Sequence, residues 1–290
     1  MYISPLELHH ATSYEDAAAL LSKFSPDVRL FAGGTDVLVE MKNNNKAVHH
    51  LVTLDRIEAM HGITEEPDGL RIGALTTITE LDESPLITGG YEIIRDAASQ
   101  MATRQIRNTA TVGGNIVSAN PCADMPPPLI VLDAVASLVS AKGTREVPLK
   151  DFITNARETN LARDELLAAI VVPKPKPRFG AAYSCFGLRN GNAITVASVA
   201  ASLSLNDDGT VHDACIALGA VAPRPIRVDA ANLWLEDRKL NGDSLDEVVR
   251  AAMEAAQPIS DIRGSAEYRR ELVGVLARRA LRAAEKRAKE

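Results

Sequence analysis

Cysteine is scarce in this chain: Cys122, Cys185 and Cys215 are three in 290 residues, 63 and 30 positions apart, with no C-x-x-C pair. That excludes a disulfide framework and a zinc or iron–sulfur centre built on thiolates. The six histidines fall as His9-His10, His49-His50, His61 and His212. Adjacent pairs do not share a helix face, so surface or loop positions and no bound metal are expected. Long apolar runs are also missing. Leu129–Leu132 and Ile170–Val172 fall far short of the roughly 18 residues that span a bilayer. The start, Met1-Tyr2-Ile3-Ser4-Pro5, lacks a basic and apolar leader, so a soluble cytoplasmic chain without a transmembrane segment is expected. The dinucleotide fingerprint G-x-G-x-x-G occurs nowhere and the P-loop lysine is absent, which excludes the Rossmann and P-loop readings of its glycines. A net charge of −6 argues against nucleic acid as a partner, because that binding needs a basic surface.

What is present is an ordinary globular composition, 46% apolar and 24% charged, enough for one large or two to three small domains. Charge is uneven: residues 263–290 carry nine Lys/Arg against four Glu, leaving 23 basic against 34 acidic in residues 1–262. The chain therefore reads as a basic terminal helix on an acidic body. That helix, expected at about 266–288, shows Tyr268, Leu272, Val275 and Leu276 at helical spacing, a face suited to packing on the body or on a neighbouring subunit.

Ser13-Tyr14-Glu15-Asp16 resembles a capping box before an alanine- and leucine-rich helix, with Asp16 in place of the usual Glu. A strand at Val28–Phe31, a helix from Val37 and a strand at Leu51–Leu54 complete a first α/β unit, residues 1–54. A second unit, 55–172, holds a strand at Leu70–Gly73, the helix cap Thr77, a helix near 88–102, a hairpin around Gly143 and a strand at Leu166–Val172. Pro173, Pro175 and Pro177 stiffen a linker, 173–178. Beyond it, in 179–290, Phe179–Leu188, Thr195–Leu205 and Val211–Leu218 read as antiparallel strands, the last two joined by the turn Asn206-Asp207-Asp208-Gly209.

Two loops carry the candidate chemistry. Gly33-Gly34-Thr35-Asp36 follows a strand and precedes a helix, so its amides, free of side-chain obstruction, can approach an anion. About 80 residues on, Thr111-Val112-Gly113-Gly114-Asn115 repeats the double glycine, and Asn115, Ser118, Asn120 and Asp124 follow as donors and acceptors for ribityl or ribose hydroxyls. Such loops can close on one diphosphate from opposite sides.

These segments, taken as Phe31–Leu38, Arg71–Thr77, Gln105–Ile116 and Val221–Arg227, together resemble the FAD-binding medium subunit of the molybdenum hydroxylases. That family includes bacterial xanthine dehydrogenase, carbon monoxide dehydrogenase and nicotinate dehydrogenase. The four blocks occur in the family's order, and the resemblance runs over about residues 1–285. It implies an α+β architecture: a two-subdomain FAD-binding fold of the vanillyl-alcohol oxidase (PCMH) type, then an α+β C-terminal domain with a three-stranded antiparallel sheet and helices. By the same resemblance Phe31, Ala32, Gly33, Gly34, Thr35, Asp36 and Val37, with Thr111, Gly113, Gly114 and Asn115, would hold the FAD pyrophosphate. Val117, Ser118, Asn120 and Asp124 match positions lining the flavin site, and Leu75, Met101, Ala102, Ile106 and Ala110 are further carried-over positions. FAD would be non-covalent, because no His or Cys is placed to attach it. The cysteine-rich insertion of some relatives is absent, as is the lysine that relatives carry in the strand matching Tyr183–Gly187.

The implied function is electron transfer within a heterotrimer. A large partner subunit would carry the molybdenum cofactor and a small one the [2Fe-2S] clusters, assembled as a dimer of heterotrimers. FAD here would pass electrons to an acceptor such as NAD or oxygen, with no catalytic acid, base or nucleophile supplied by this chain. Two other readings are a self-contained flavin oxidase of the same fold and a nucleotide-binding scaffold without redox function.

Overall fold

A computed structural model describes residues 5–43 and 48–290; Met1–Ser4, where the reading of a missing leader begins, lie outside them. The first layer is a parallel three-stranded sheet of β1 (Glu7–His10), β2 (Val28–Phe31) and β3 (His50–Thr53), ordered β1-β3-β2. His9, His10 and His50 thus sit in strands rather than loops. Helix α1 (Tyr14–Phe24) starts where the Ser13 hydroxyl accepts from the Asp16 amide at 3.1 Å, while the Asp16 carboxylate reaches one residue further back, to the Thr12 amide at 3.1 Å. The shorter aspartate keeps half of the capping box and redirects the other half. β2 runs into the Ala32–Asp36 loop and then α2 (Val37–Lys42).

The second layer is an antiparallel sheet ordered β4-β5-β10-β6-β7. It comprises β4 (Ile63–Glu66), β5 (Gly69–Gly73), β6 (Val135–Ser140), β7 (Gly143–Pro148) and β10 (Leu166–Pro173). Helices α3 (Ile78–Glu83), α4 (Glu92–Gln100), α5 (Arg104–Arg107), α6 (Val112–Val117) and α7 (Pro126–Val131) lie between β5 and β6, and α8 (Leu149–Phe152) leads to the short pair β8 (Ile153–Asn155) and β9 (Glu158–Thr159). Thr77 and Glu80 close the capping box of α3. The β10–β6 register slips between Leu167 and Ala169. That bulge leaves the Ala168 carbonyl to accept from the Ala74 amide at 2.9 Å, and so holds the exit of β5 beside the start of β10.

The third layer is β11 (Phe179–Gly187), β12 (Thr195–Leu205), β13 (Val211–Gly219) and a two-residue strand, β14 (Ile226–Arg227), ordered in sequence. The fourth strand is absent from the sequence reading because two residues between Pro225 and Val228 show no alternation. Helices α9 (Ala230–Leu235), α10 (Gly242–Ala255) and α11 (Ala266–Lys289) cover one face. Every residue of β12 is buried, which a central strand covered on both faces requires. One apolar core runs from Ala11 through Ile72, Ile93, Leu129 and Phe152 to Tyr183, Ala200 and Cys215, crossing from the second layer into the third. A second core fills the space between this sheet and its helices.

Helix α11 is a core element rather than a solvated tail. Its buried face is Val273, Leu276, Ala277, Ala280, Leu281, Ala284 and Ala288, whereas Tyr268 and Val275 are 44% and 48% exposed. The small alanines let it lie against β11 so closely that a Cβ on Gly180 would sit 2.0 Å from the Ala284 carbonyl oxygen.

Candidate functional site

Both glycine loops line one cavity of about 520 Å³, within the range of small-molecule and cofactor sites. Ala32, Gly33, Gly34, Thr35, Asp36 and Val37 form one wall, and Ala110, Thr111, Gly113, Gly114, Asn115, Val117 and Ser118 the facing one. Leu54, Met60, Ala74, Leu75, Leu161, Leu166 and Leu167 supply apolar surface.

The two loops are built differently. Among the described residues the amides of Gly33, Gly34, Thr35 and Asp36 have no acceptor, so they are available to a ligand. Gly34 holds φ +73°, a left-handed conformation that costs a side chain, and a Cβ there would meet the Phe31 ring at 2.6 Å. A Cβ on Gly33 would lie 1.9 Å from the Thr109 carbonyl oxygen, so this glycine is what lets the two walls touch. The second loop spends its amides on its own anchorage: Val112 donates to Thr76 O and Gly113 to Ala74 O, both at 2.9 Å, and Gly114 to Thr111 Oγ1 at 3.1 Å. It offers the Thr111 hydroxyl and the bare surface of Gly114, where a Cβ would meet Thr111 Oγ1 alone, at 2.9 Å.

Six of the expected positions lie outside the cavity lining. Phe31 packs with Met41, Val48 and Leu51, beneath the first loop. Met101 is in the core, Ala102 turns the chain at φ +45° and Ile106 is exposed. Asn120 closes a turn by accepting from the Cys122 amide at 3.1 Å. Asp124 stays in the loop before α7 but turns its carboxylate to the contact between layers, accepting from Tyr183 Oη at 2.8 Å and Thr195 Oγ1 at 2.6 Å. Burial pushes its carboxyl above the ordinary 3.8, against the pull of those two hydroxyls. Tyr183 is pushed well above 10, by burial first and then by the Asp124 charge.

Sequence reasoning missed Arg29, Glu40 and Arg157, which also line the cavity. Arg157 stands at φ +63° and pairs with Glu40 at 3.3 Å. It comes from the turn between β8 and β9, and no motif marks a single arginine 117 residues away from its partner. Of the arginines flanking the second loop, Arg104 pairs with Glu83 and Arg107 donates to the Met101 carbonyl. Cys185 and Cys215 are pushed up to about 11 and about 12 by burial, and burial likewise raises Cys122. Thiols so raised are protonated and unreactive near neutral pH.

The sequence model of the FAD binding domain in molybdopterin dehydrogenase matches residues 4–175, and that of the CO dehydrogenase flavoprotein C-terminal domain matches residues 181–284. The chain belongs to the FAD-binding medium-subunit family of the molybdenum hydroxylases. It is 36% identical over 283 residues to the carbon monoxide dehydrogenase medium chain of Afipia carboxidovorans, covering 98% of each. It is 34% identical over 275 residues to the xanthine dehydrogenase FAD-binding subunit of Escherichia coli O157:H7, covering 94% of each. In structure it is similar to a chain of the cyanide-inactivated Cu,Mo-CO dehydrogenase, with TM-score 0.95 at 35% identity over 99% of this chain and 100% of that one.

This family member is an oxidoreductase subunit whose cofactor is FAD, and the cavity suits that group. A dinucleotide diphosphate needs backbone amides without side chains in the way, and the first loop presents four amides, unpaired among the described residues, from a turn that only glycines allow, since a Cβ at 33 or 34 would strike the Thr109 carbonyl oxygen or the Phe31 ring. Among the described residues no helix is long and apolar enough to cross a membrane.

Proposed function

We propose that this chain is the electron-transfer subunit of a heterotrimeric molybdenum hydroxylase. It would pass electrons arriving from [2Fe-2S] clusters on a small partner subunit to an acceptor such as NAD or oxygen, while substrate is hydroxylated on a large partner that carries the molybdenum cofactor. Bound FAD supplies the redox chemistry. The work of the chain's own residues is to bind and orient it. The amides of Gly33 to Asp36 would hold the diphosphate, with Thr111 Oγ1 and the Gly114 surface opposite. Arg29 would add positive charge at the wall, and Leu75, Leu166 and Leu167 would exclude water. Residues 1–54 and 55–172 each supply one wall in this reading, 173–178 links them to 179–290, and FAD stays non-covalent.

The observation that carries the reading is the convergence of both double-glycine loops on one cavity whose ionisable side chains are Arg29, Asp36, Glu40 and Arg157. Glu40 and Arg157 are spent on each other. A self-contained oxidase would need a general acid or base over its substrate. Purified alone and loaded with FAD, the chain is expected to be yellow and to lack activity on purines, N-heterocycles and carbon monoxide. Substrate oxidation by the single chain, free of molybdenum and iron, would refute the subunit reading.

A further inference from the structure

At the far end of the first sheet from the flavin loop, three side chains stand in the arrangement of a metal centre. Glu7 and His9 are two residues apart on β1 and so share a face, and the parallel register places His50 of β3 opposite Glu7. His9 Nε2 lies 3.1 Å from His50 Nδ1, and Glu7 Oε2 lies 3.8 Å from the first and 3.6 Å from the second. Metal bonds of about 2.0–2.2 Å in a tetrahedron separate neighbouring ligand atoms by about 3.3–3.6 Å, and the observed triangle brackets that range. The Phe24 ring, at the end of α1, stacks on both imidazoles, with centroids 4.6 and 4.0 Å away and planes within 21° and 20°. The ring planes of two ligands are therefore set before an ion arrives. A hydrogen bond and two ion-pair contacts account for the edges of this triangle one by one; the convergence of all three ligand atoms is the arrangement that one ion would use.

We propose that Glu7, His9 and His50 bind one divalent transition-metal ion of the zinc class. Two imidazole nitrogens and one carboxylate oxygen are the donor set such borderline ions prefer. With Glu7 73% exposed as a side chain, the fourth position is open to water. To bind, the imidazole that now donates across the 3.1 Å contact shifts its proton to its other ring nitrogen, so that both face the ion as neutral ligands. The ion would clip β1, an edge strand, to β3 at the centre of the sheet.

The test is titration of the FAD-loaded full chain with Zn²⁺ by calorimetry, and with Co²⁺ by the visible absorption of a four-coordinate ion. One ion per chain is expected. His9→Gln and His50→Gln should each weaken Zn²⁺ binding by more than about tenfold, a cost already incurred when an outer-shell partner of a metal is removed. His212→Gln, at the exposed second position of β13, should leave it unchanged, and flavin content should be the same in all. Because the two histidines are packed against Phe24, Glu7→Gln provides the same loss from an exposed side chain that no ring rests on. A wild-type chain that takes up no ion, or E7Q and H50Q proteins that bind as tightly as wild type, would overturn the site.

Discussion

Gly33 and Gly114 are the same residue type doing opposite jobs. A methyl group on Gly33 meets peptide backbone, Thr109 O at 1.9 Å and Thr109 C at 2.7 Å, whereas on Gly114 it meets one rotatable hydroxyl. Gly33→Ala should therefore lose FAD and also stability, about 1–3 kcal/mol as for other overpacked sites. Gly114→Ala should lose less stability, because only the Thr111 hydroxyl that caps α6 must give way, and should bind FAD more weakly. Urea melts of the apo proteins and fluorescence titrations with FAD distinguish the two; equal melts for both would show that the walls do not touch at Gly33. Asp124 shows where a residue's chemistry is hidden from sequence. Its neighbours Asn120, Pro121 and Cys122 read as polar loop, and only the fold reveals that Tyr183 and Thr195, 59 and 71 residues on, face it. Asp124→Ala should cost about 1–3 kcal/mol, because two hydroxyls lose their acceptor. Since burial raises the folded carboxyl above 3.8, its contribution is full below the unfolded value and lost as pH rises through the folded one. The stability of wild type minus that of Asp124→Asn should shrink upward from about pH 3.8. A difference flat with pH would mean that the carboxyl is not desolvated.

Among elements, α11 departs furthest from its sequence pattern. Of the apolar residues conspicuous in its sequence, Leu276 is buried and Leu272 packs on the second core, but Tyr268 and Val275 stay largely exposed, and the helix buries instead a stripe of alanines with Val273 and Leu281. Alanine carries little hydrophobic signal, but on this helix its smallness is what permits contact with Gly180. Leu281→Ala, at a position fully buried, should cost about 2–5 kcal/mol, while Val275→Ala should move the thermal midpoint hardly at all. Comparable losses from both would place the wrong face against the sheet. Strands β11, β12 and β13 were legible because a long apolar run bounded by turn residues is locally encoded. So was α3, whose capping box lies within four residues. The register that sets α11 on its sheet is long-range and leaves no local mark.

The whole molecule does not keep its charges where a one-dimensional tally puts them. The basic terminal segment is largely neutralised internally: Arg287 makes a two-pronged contact with Asp96 at 2.6 and 2.9 Å, Arg269 meets Asp261 at 2.6 Å and Arg278 meets Asp246 at 2.7 Å. The truncation of residues 266–290 would thus expose the second core rather than merely unhook a docking tail, and insoluble or unfolded product is expected. Because the first core extends unbroken into the C-terminal sheet, calorimetry of the apo chain should give one transition, with calorimetric and van't Hoff enthalpies in agreement. A separate early melt of residues 179–290 would contradict that continuity. The contact of Asp124 with Tyr183 and Thr195 has a consequence for recombination. A chimera crossed over at the proline-rich segment, with the first 173 residues from one parent and the remainder from another, inherits the acceptor from one and both donors from the other. Only parents that share all three residues can be spliced there without stranding a buried carboxylate, so this triad sets which medium subunits can exchange their C-terminal halves.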